Sequence, residues 1–120
     1  MDDDGRPLFQ QVAEQIEAAI LDGSLPEESR APSTNELAAF HRINPATAAK
    51  GLGQLVSDGL LYKKRGIGMF VSTGARDALL HRRRREFTRT FVEPMVTEAH
   101  KLGLDLSQLP SLIAEVEAAR

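Results

Sequence analysis

Two helix-start signals stand eleven positions apart near the middle of the chain, and they leave residues 33–58 little freedom. The first is Ser33-Thr34-Asn35-Glu36. A serine there accepts from the amide three residues on, and the glutamate reaches back to the serine amide. The second is Asn44-Pro45, a good N-cap followed by a proline at the first helical position, where a missing N–H costs nothing. Leu37, Ala38 and Phe40 give a helix over about 34–40 a buried side. Ala48, Leu52, Leu55 and Val56 do the same for a helix from about 45 to 58, stopped by Gly59. Only His41–Ile43 separates the two. Two helices joined by so tight a turn form a helix-turn-helix.

The flanks complete a unit. Phe9, Val12, Ile16 and Ile20 share one helical face and predict a helix over 8–22, ended at Gly23. Residues 23–32, with Gly23, Pro26 and Pro32, read as a loop. Leu60–Lys64 and Ile67–Val71 read as strands joined by a basic, glycine-rich turn at Arg65-Gly66-Ile67-Gly68. The expected fold is mainly α with a small β-hairpin, a winged helix-turn-helix over residues 1–73. From about 75 a long helical stretch carries Phe87, Phe91, Met95, Ala99 and Leu102 on one stripe, and Pro94 predicts a kink in it. Gly103 ends it. Ser107 is expected to cap a last helix striped with Leu109, Leu112, Ile113 and Val116. Residues 74–120 are therefore expected to form a short C-terminal two-helix dimerisation segment, because a monomer rarely leaves such stripes uncovered.

Composition excludes several classes. The 120 residues contain no cysteine, so disulfides, thiolate metal sites and cysteine nucleophiles are out. No apolar run approaches the length needed to cross a bilayer. The acidic start Met1-Asp2-Asp3-Asp4 lacks the order of a secretory signal, and a cytoplasmic location is expected. His41, His81 and His100 show no metal-ligand spacing, and no cofactor is expected. There is no phosphate loop and no nucleophile motif, so an enzyme is not expected.

Charge distribution is more informative than the net charge of −2. Residues 41–73 carry Arg42, Lys50, Lys63, Lys64 and Arg65 against Asp58 alone, a local excess of +4. Such a stripe on a near-neutral protein marks either a phosphate-facing surface or a solvated face. Arg82–Arg85 likewise reads as a solvated face or a contact to DNA flanks. The third helix adds a polar, small-residue side at Thr47, Lys50, Gly51 and Gln54. In a helix-turn-helix the N-terminal residues of the second helix reach base edges. Here these are Asn44, Ala46, Thr47 and Lys50; Thr47 can bond a phosphate or touch a thymine methyl, and Lys50 can bond guanine O6/N7 or a phosphate. Ser33, Thr34 and Asn35, at the preceding helix start, can present amides to phosphate. The hairpin places Lys64 and Arg65 near the DNA backbone or minor groove, and Gly66 and Gly68 permit a tight turn and close approach. Double-stranded DNA is the expected partner. A winged-helix module that only binds other proteins is the alternative, and steep salt dependence of DNA binding separates the two.

Residues 7–72 resemble the GntR family of bacterial repressors. The matching text is Pro7-Leu8-Phe9-Gln10-Gln11-Val12, Ile20-Leu21-Asp22-Gly23-Ser24-Leu25, Pro32-Ser33-Thr34-Asn35-Glu36-Leu37-Ala38, Asp58-Gly59-Leu60-Leu61 and Arg65-Gly66-Ile67-Gly68-Met69-Phe70-Val71. Asn44-Pro45-Ala46-Thr47 and the short tail resemble the YtrA subfamily. Asn35 and Ala49 depart from the family, which commonly has arginine at both places. The resemblance implies a homodimer that binds a palindromic operator and represses transcription. It leaves room for a small-molecule effector of unknown identity.

Overall fold

The computed structural model describes residues 5–120, and their packing divides into two compact units between His81 and Arg82. The acidic start, Met1–Asp4, lies outside the described residues.

The first unit opens with α1 (Leu8–Asp22), which stops at Gly23 in the left-handed conformation, φ +86°. α2 (Thr34–His41) begins with the expected reciprocal cap between Ser33 and Glu36. α3 (Pro45–Ser57) starts on the Asn44 side chain with Pro45 in its first turn. β1 (Leu61–Lys64) and β2 (Gly68–Val71) pair antiparallel, Leu61 opposite Val71 and Lys64 opposite Gly68. A further helix, α4 (Ala75–Phe87), follows the hairpin.

Residues 28–31, read from the sequence as loop, line the free edge of β2. The Ala31 N–H donates to the Met69 carbonyl at 2.8 Å, the Glu28 N–H to Val71 at 2.8 Å, and the Val71 N–H to Ser29 at 3.0 Å. Edge amides that would otherwise stand open are thus satisfied.

The core gathers Val12, Ile16 and Ile20 of α1, Leu37 of α2, Ala48, Leu52 and Leu55 of α3, and Leu61 and Val71 of the hairpin. Ala75 and Leu79 join it, so α4 contributes two turns to this unit beyond residue 73. Phe40 does not join: it is 82% exposed. Leu37 and Ala38 set the inward direction of α2, and Phe40 lies about 200° around the helix from Ala38.

The second unit begins within α4. A π-helical turn over Thr88–Val92 leads into α5 (Glu93–Lys101). The interruption expected at Pro94 takes this form. Proline has no N–H to give, and the preceding Glu93 N–H reaches five residues back to the Thr88 carbonyl. After Gly103 the cap is Asp105, not Ser107: the Asp105 carboxylate accepts from the Ser107 amide at 3.0 Å. Gln108 closes the reciprocal half, its side chain accepting from the Asp105 amide at 2.8 Å. A short 3-10 turn, Leu106–Gln108, then runs into α6 (Leu109–Ala118), with Pro110 in its first turn.

Candidate nucleic-acid interface

Three pieces of the first unit carry the residues expected to meet DNA. At the start of α2, the Glu36 amide donates to the Ser33 hydroxyl at 3.1 Å, and the Ser33 amide donates to the Glu36 carboxylate at 3.3 Å. The Ser33 amide and hydroxyl oxygen are thereby engaged in capping. Thr34 is half-buried beside it and Asn35 is exposed.

At the start of α3, the Asn44 side-chain oxygen accepts from the Ala46 amide at 2.8 Å. Ala46, Ala49, Lys50 and Gly53 then form the open face of α3, and Thr47 stands half-buried at its edge. Gly51 is not part of that face. It is buried against α1, where a Cβ would stand 2.8 Å from the Phe9 carbonyl oxygen and 2.9 Å from Val12 Cγ1. The small residue there serves helix packing, not approach to DNA. Lys50 leans the same way: its ammonium lies 4.1 Å from the centroid of the Phe9 ring.

The hairpin is the wing. The Ile67 N–H donates to the Lys64 carbonyl at 3.0 Å and closes its tip. Gly66 sits there at φ +77°, a conformation that favours glycine. Arg65 is exposed at the tip. Tyr62 and Phe70 stack with centroids 6.0 Å apart, and the Lys64 ammonium lies 4.4 Å from the Phe70 ring. At the base of the wing, the Glu28 carboxylate accepts from the Thr73 hydroxyl at 2.6 Å and from the Tyr62 phenol. The Thr73 bond first, and then the Tyr62 bond, hold the Glu28 carboxyl below its ordinary value. The same carboxylate pushes the Tyr62 phenol up.

A cleft of about 260 Å³ brings Ser33, Thr34, Asn35 and Gly68 together with Arg30 and Lys63. Neither basic residue was singled out from the sequence as a contact. Lys63 is visible there only as part of the charge excess. Arg30 is hidden in an apparent loop, and only the pairing of residues 28–31 with β2 brings it here. Gly68, at φ +146°, leaves it room: a Cβ there would stand 3.0 Å from Arg30 Nε. Asn44, Ala46, Thr47 and Lys50 belong to α3 and do not line this cleft.

In the second unit, Phe87, Phe91, Met95, Leu102, Leu112, Ile113 and Val116 are exposed and Leu109 is half-buried. All of them except Phe91 line one apolar groove of about 780 Å³ between α5 and α6. Phe91 instead packs against Phe87, with centroids 5.8 Å apart. Among the described residues no group of three or more metal-ligating side chains is assembled, and no helix is long and apolar enough to cross a membrane.

Comparison with known proteins gives this geometry its context. Residues 8–71 match the family "Bacterial regulatory proteins, gntR family". The chain is 27% identical to the HTH-type transcriptional repressor YtrA of Bacillus subtilis, over 93% of this chain and 85% of that one. It is 38% identical to the HTH-type transcriptional repressor NagR of the same organism, over 55% of this chain but only 27% of NagR. Among solved structures, a GntR-family regulator from Bacteroides thetaiotaomicron superposes with a TM-score of 0.77 at 31% identity, covering 93% of this chain and 97% of that one. The DNA-binding domain of AraR, solved in complex with operator ORX1, superposes with a TM-score of 0.54 at 37% identity, over 56% of this chain and 81% of that one. The first unit, with its helix-turn-helix and basic wing, makes this chain a member of the GntR family, a non-enzymatic, DNA-binding regulator of transcription.

Proposed function

We propose that the chain represses transcription as a homodimer on a palindromic operator, each protomer placing α3 in the major groove of one half-site. The observation that carries the dimer is the apolar groove between α5 and α6, most of whose large apolar side chains stay exposed in a single chain. Monomers rarely leave so large an apolar surface open, and a two-fold pairing of identical surfaces is the commonest way to cover it. The repressor names of YtrA and NagR support the direction of regulation.

In this reading, Asn44, Ala46, Thr47 and Lys50 face the major groove. Ser33, Thr34, Asn35, Arg30 and Lys63 meet the backbone beside it, and Lys64, Arg65, Gly66 and Gly68 bring the wing to the duplex. Residues after Gly74 supply the dimer. The test is selection of bound sequences from random duplex DNA with the purified protein, followed by binding at several salt concentrations. The expected result is a palindromic consensus with half-sites about 34 Å apart and affinity that falls steeply with salt. Enrichment of an asymmetric single site would reject the dimeric reading. Salt-independent binding would favour a protein-interaction module instead.

A further inference from the structure

The start of α1 packs closely against α3 at Gly51. The absence of a side chain there lets the Phe9 carbonyl oxygen and the Val12 side chain approach to within van der Waals reach. That first turn is well fixed. The Gln10 and Gln11 amides both donate to the Pro7 carbonyl, at 3.1 and 3.3 Å, and the buried Gln11 side chain donates to the Arg6 carbonyl at 3.1 Å. The half-buried Phe9 ring is thus held on a rigid turn beside the exposed residue that precedes Gly51, which is Lys50.

We propose that Phe9 is a positioning residue for Lys50, holding its ammonium at the α1 edge of α3, where it takes a backbone phosphate rather than a base edge. This rests on the placement of α3 in the major groove argued above. Around the axis of α3, Ala46 and Gly53 mark the centre of the open face, and Lys50 stands between that centre and the Gly51 edge. The ring draws its ammonium further toward the edge, away from the base pairs. A lysine is a compact point charge on a long flexible stem. Held in advance over an aromatic face, it loses less freedom when it meets a phosphate.

The test uses the full chain, a set of DNA duplexes of different sequence, and the variants Phe9→Leu, Phe9→Tyr, Lys50→Met and Phe9→Leu/Lys50→Met. Lys50→Met keeps the stem and removes the charge. It should weaken binding to all sequences alike and reduce the salt slope by about one ion. Phe9→Leu should weaken binding about threefold, by the strength of an exposed cation–π contact. It should have no effect once Lys50 is Met, and Phe9→Tyr should bind like wild type. In the free protein, the methylene protons beside the Lys50 ammonium should show an upfield ring-current shift that Phe9→Leu removes and Phe9→Tyr keeps. An equal loss from Phe9→Leu with and without the lysine charge would overturn the proposal. So would a Lys50→Met loss confined to particular bases, or a missing ring-current shift. A wild-type chain that binds no duplex defeats the DNA placement itself. A wild-type chain that binds while the double-variant effects simply add defeats only the role of Phe9.

Discussion

In the winged unit, Ile20, Leu52, Leu55, Leu61 and Leu79 are sealed from solvent, whereas beyond Arg82 the only buried apolar side chain among the described residues is Ala99. The aliphatic and aromatic content of the helical unit is not lower. Its Phe87, Phe91, Leu102, Ile113 and Val116 are each more than half exposed. Two short helices cannot enclose a core on their own, while three helices and a hairpin can. The first unit is therefore built to be complete within one chain. The second leaves most of its large apolar side chains on the surface of the single chain.

The strongest way to break this contrast is to divide the chain where its packing divides. A chain ending at His81 keeps Ala75 and Leu79 in the core and should fold, but sediment as a monomer. The full chain should sediment as a dimer at micromolar concentration. Affinity of the shortened chain for a palindrome should fall by about a hundredfold or more, because the two half-sites lose their mutual effective concentration. A monomeric full chain would remove the basis for the contrast. Ending the chain at Ser72 is the poorer cut, since it also strips two buried side chains from the winged unit.

A second experiment sharpens the claim that the winged core is tightly closed. Gly51→Val drives a side chain into the Phe9 carbonyl and Val12, and should cost about 1–3 kcal/mol, read as a lower melting temperature. Gly53→Ala, where a Cβ meets nothing within 4 Å, should instead gain a little under 1 kcal/mol of helix stability. Equal effects at the two glycines would show that α1 and α3 are not in such close contact.

The tip of the wing, Arg65–Ile67, is exposed. Gly66→Val forces a β-branched residue toward φ +77°, at a cost of about 1–2 kcal/mol concentrated in the turn. DNA affinity should fall about tenfold while circular dichroism keeps its helical signal. Wild-type affinity in that variant would separate the tip from the duplex.

The smallest effect is expected at the base of the wing. The bonds from Thr73 and Tyr62 lower the Glu28 carboxyl in the folded state below its ordinary value of 4.5. Its contribution to stability is then fully present above about that pH, and is lost as pH falls through the folded value. Glu28→Gln should flatten this part of the acid-side loss of stability in melting curves taken between pH 6 and about 3. An unchanged pH profile would show that the carboxylate does not bind the loop to the hairpin.

How much of this was legible in sequence follows from how local each signal is. The boundaries of α1, α2 and α3 follow from Gly23, the Ser33–Glu36 cap and Asn44-Pro45, all within a turn of the ends they set. The wing turn is equally local. What escaped depends on partners distant in the chain. Glu28-Ser29-Arg30-Ala31 has no alternation to mark it as an edge, and it pairs only because β2 arrives beside it. Gly51 sits at helical spacing with polar residues, so its burial against α1 is invisible until the two helices cross. Phe40 resembles core by composition, and its exposure is set by which way Leu37 and Ala38 face. Asp105 and Ser107 are both capping residues two positions apart, and only the inserted 3-10 turn gives the cap to Asp105. The apolar stripes after Gly74 were readable as stripes. Their meaning lies in what one chain leaves uncovered.

The close crossing at Gly51 has a consequence for how such a regulator can acquire new targets. Around the axis of α3, positions 48, 51, 52 and 55 are locked by the fold, while 46, 49, 50 and 53 border open space. Variation can explore the second set with little penalty to folding and almost none of the first. Sequence preference in this scaffold is therefore free to drift at positions 46, 49 and 53, along one narrow strip of a single helix. A library randomised only on that strip should yield many folded proteins with altered operators, whereas one that includes position 51 should yield proteins with lowered melting temperatures.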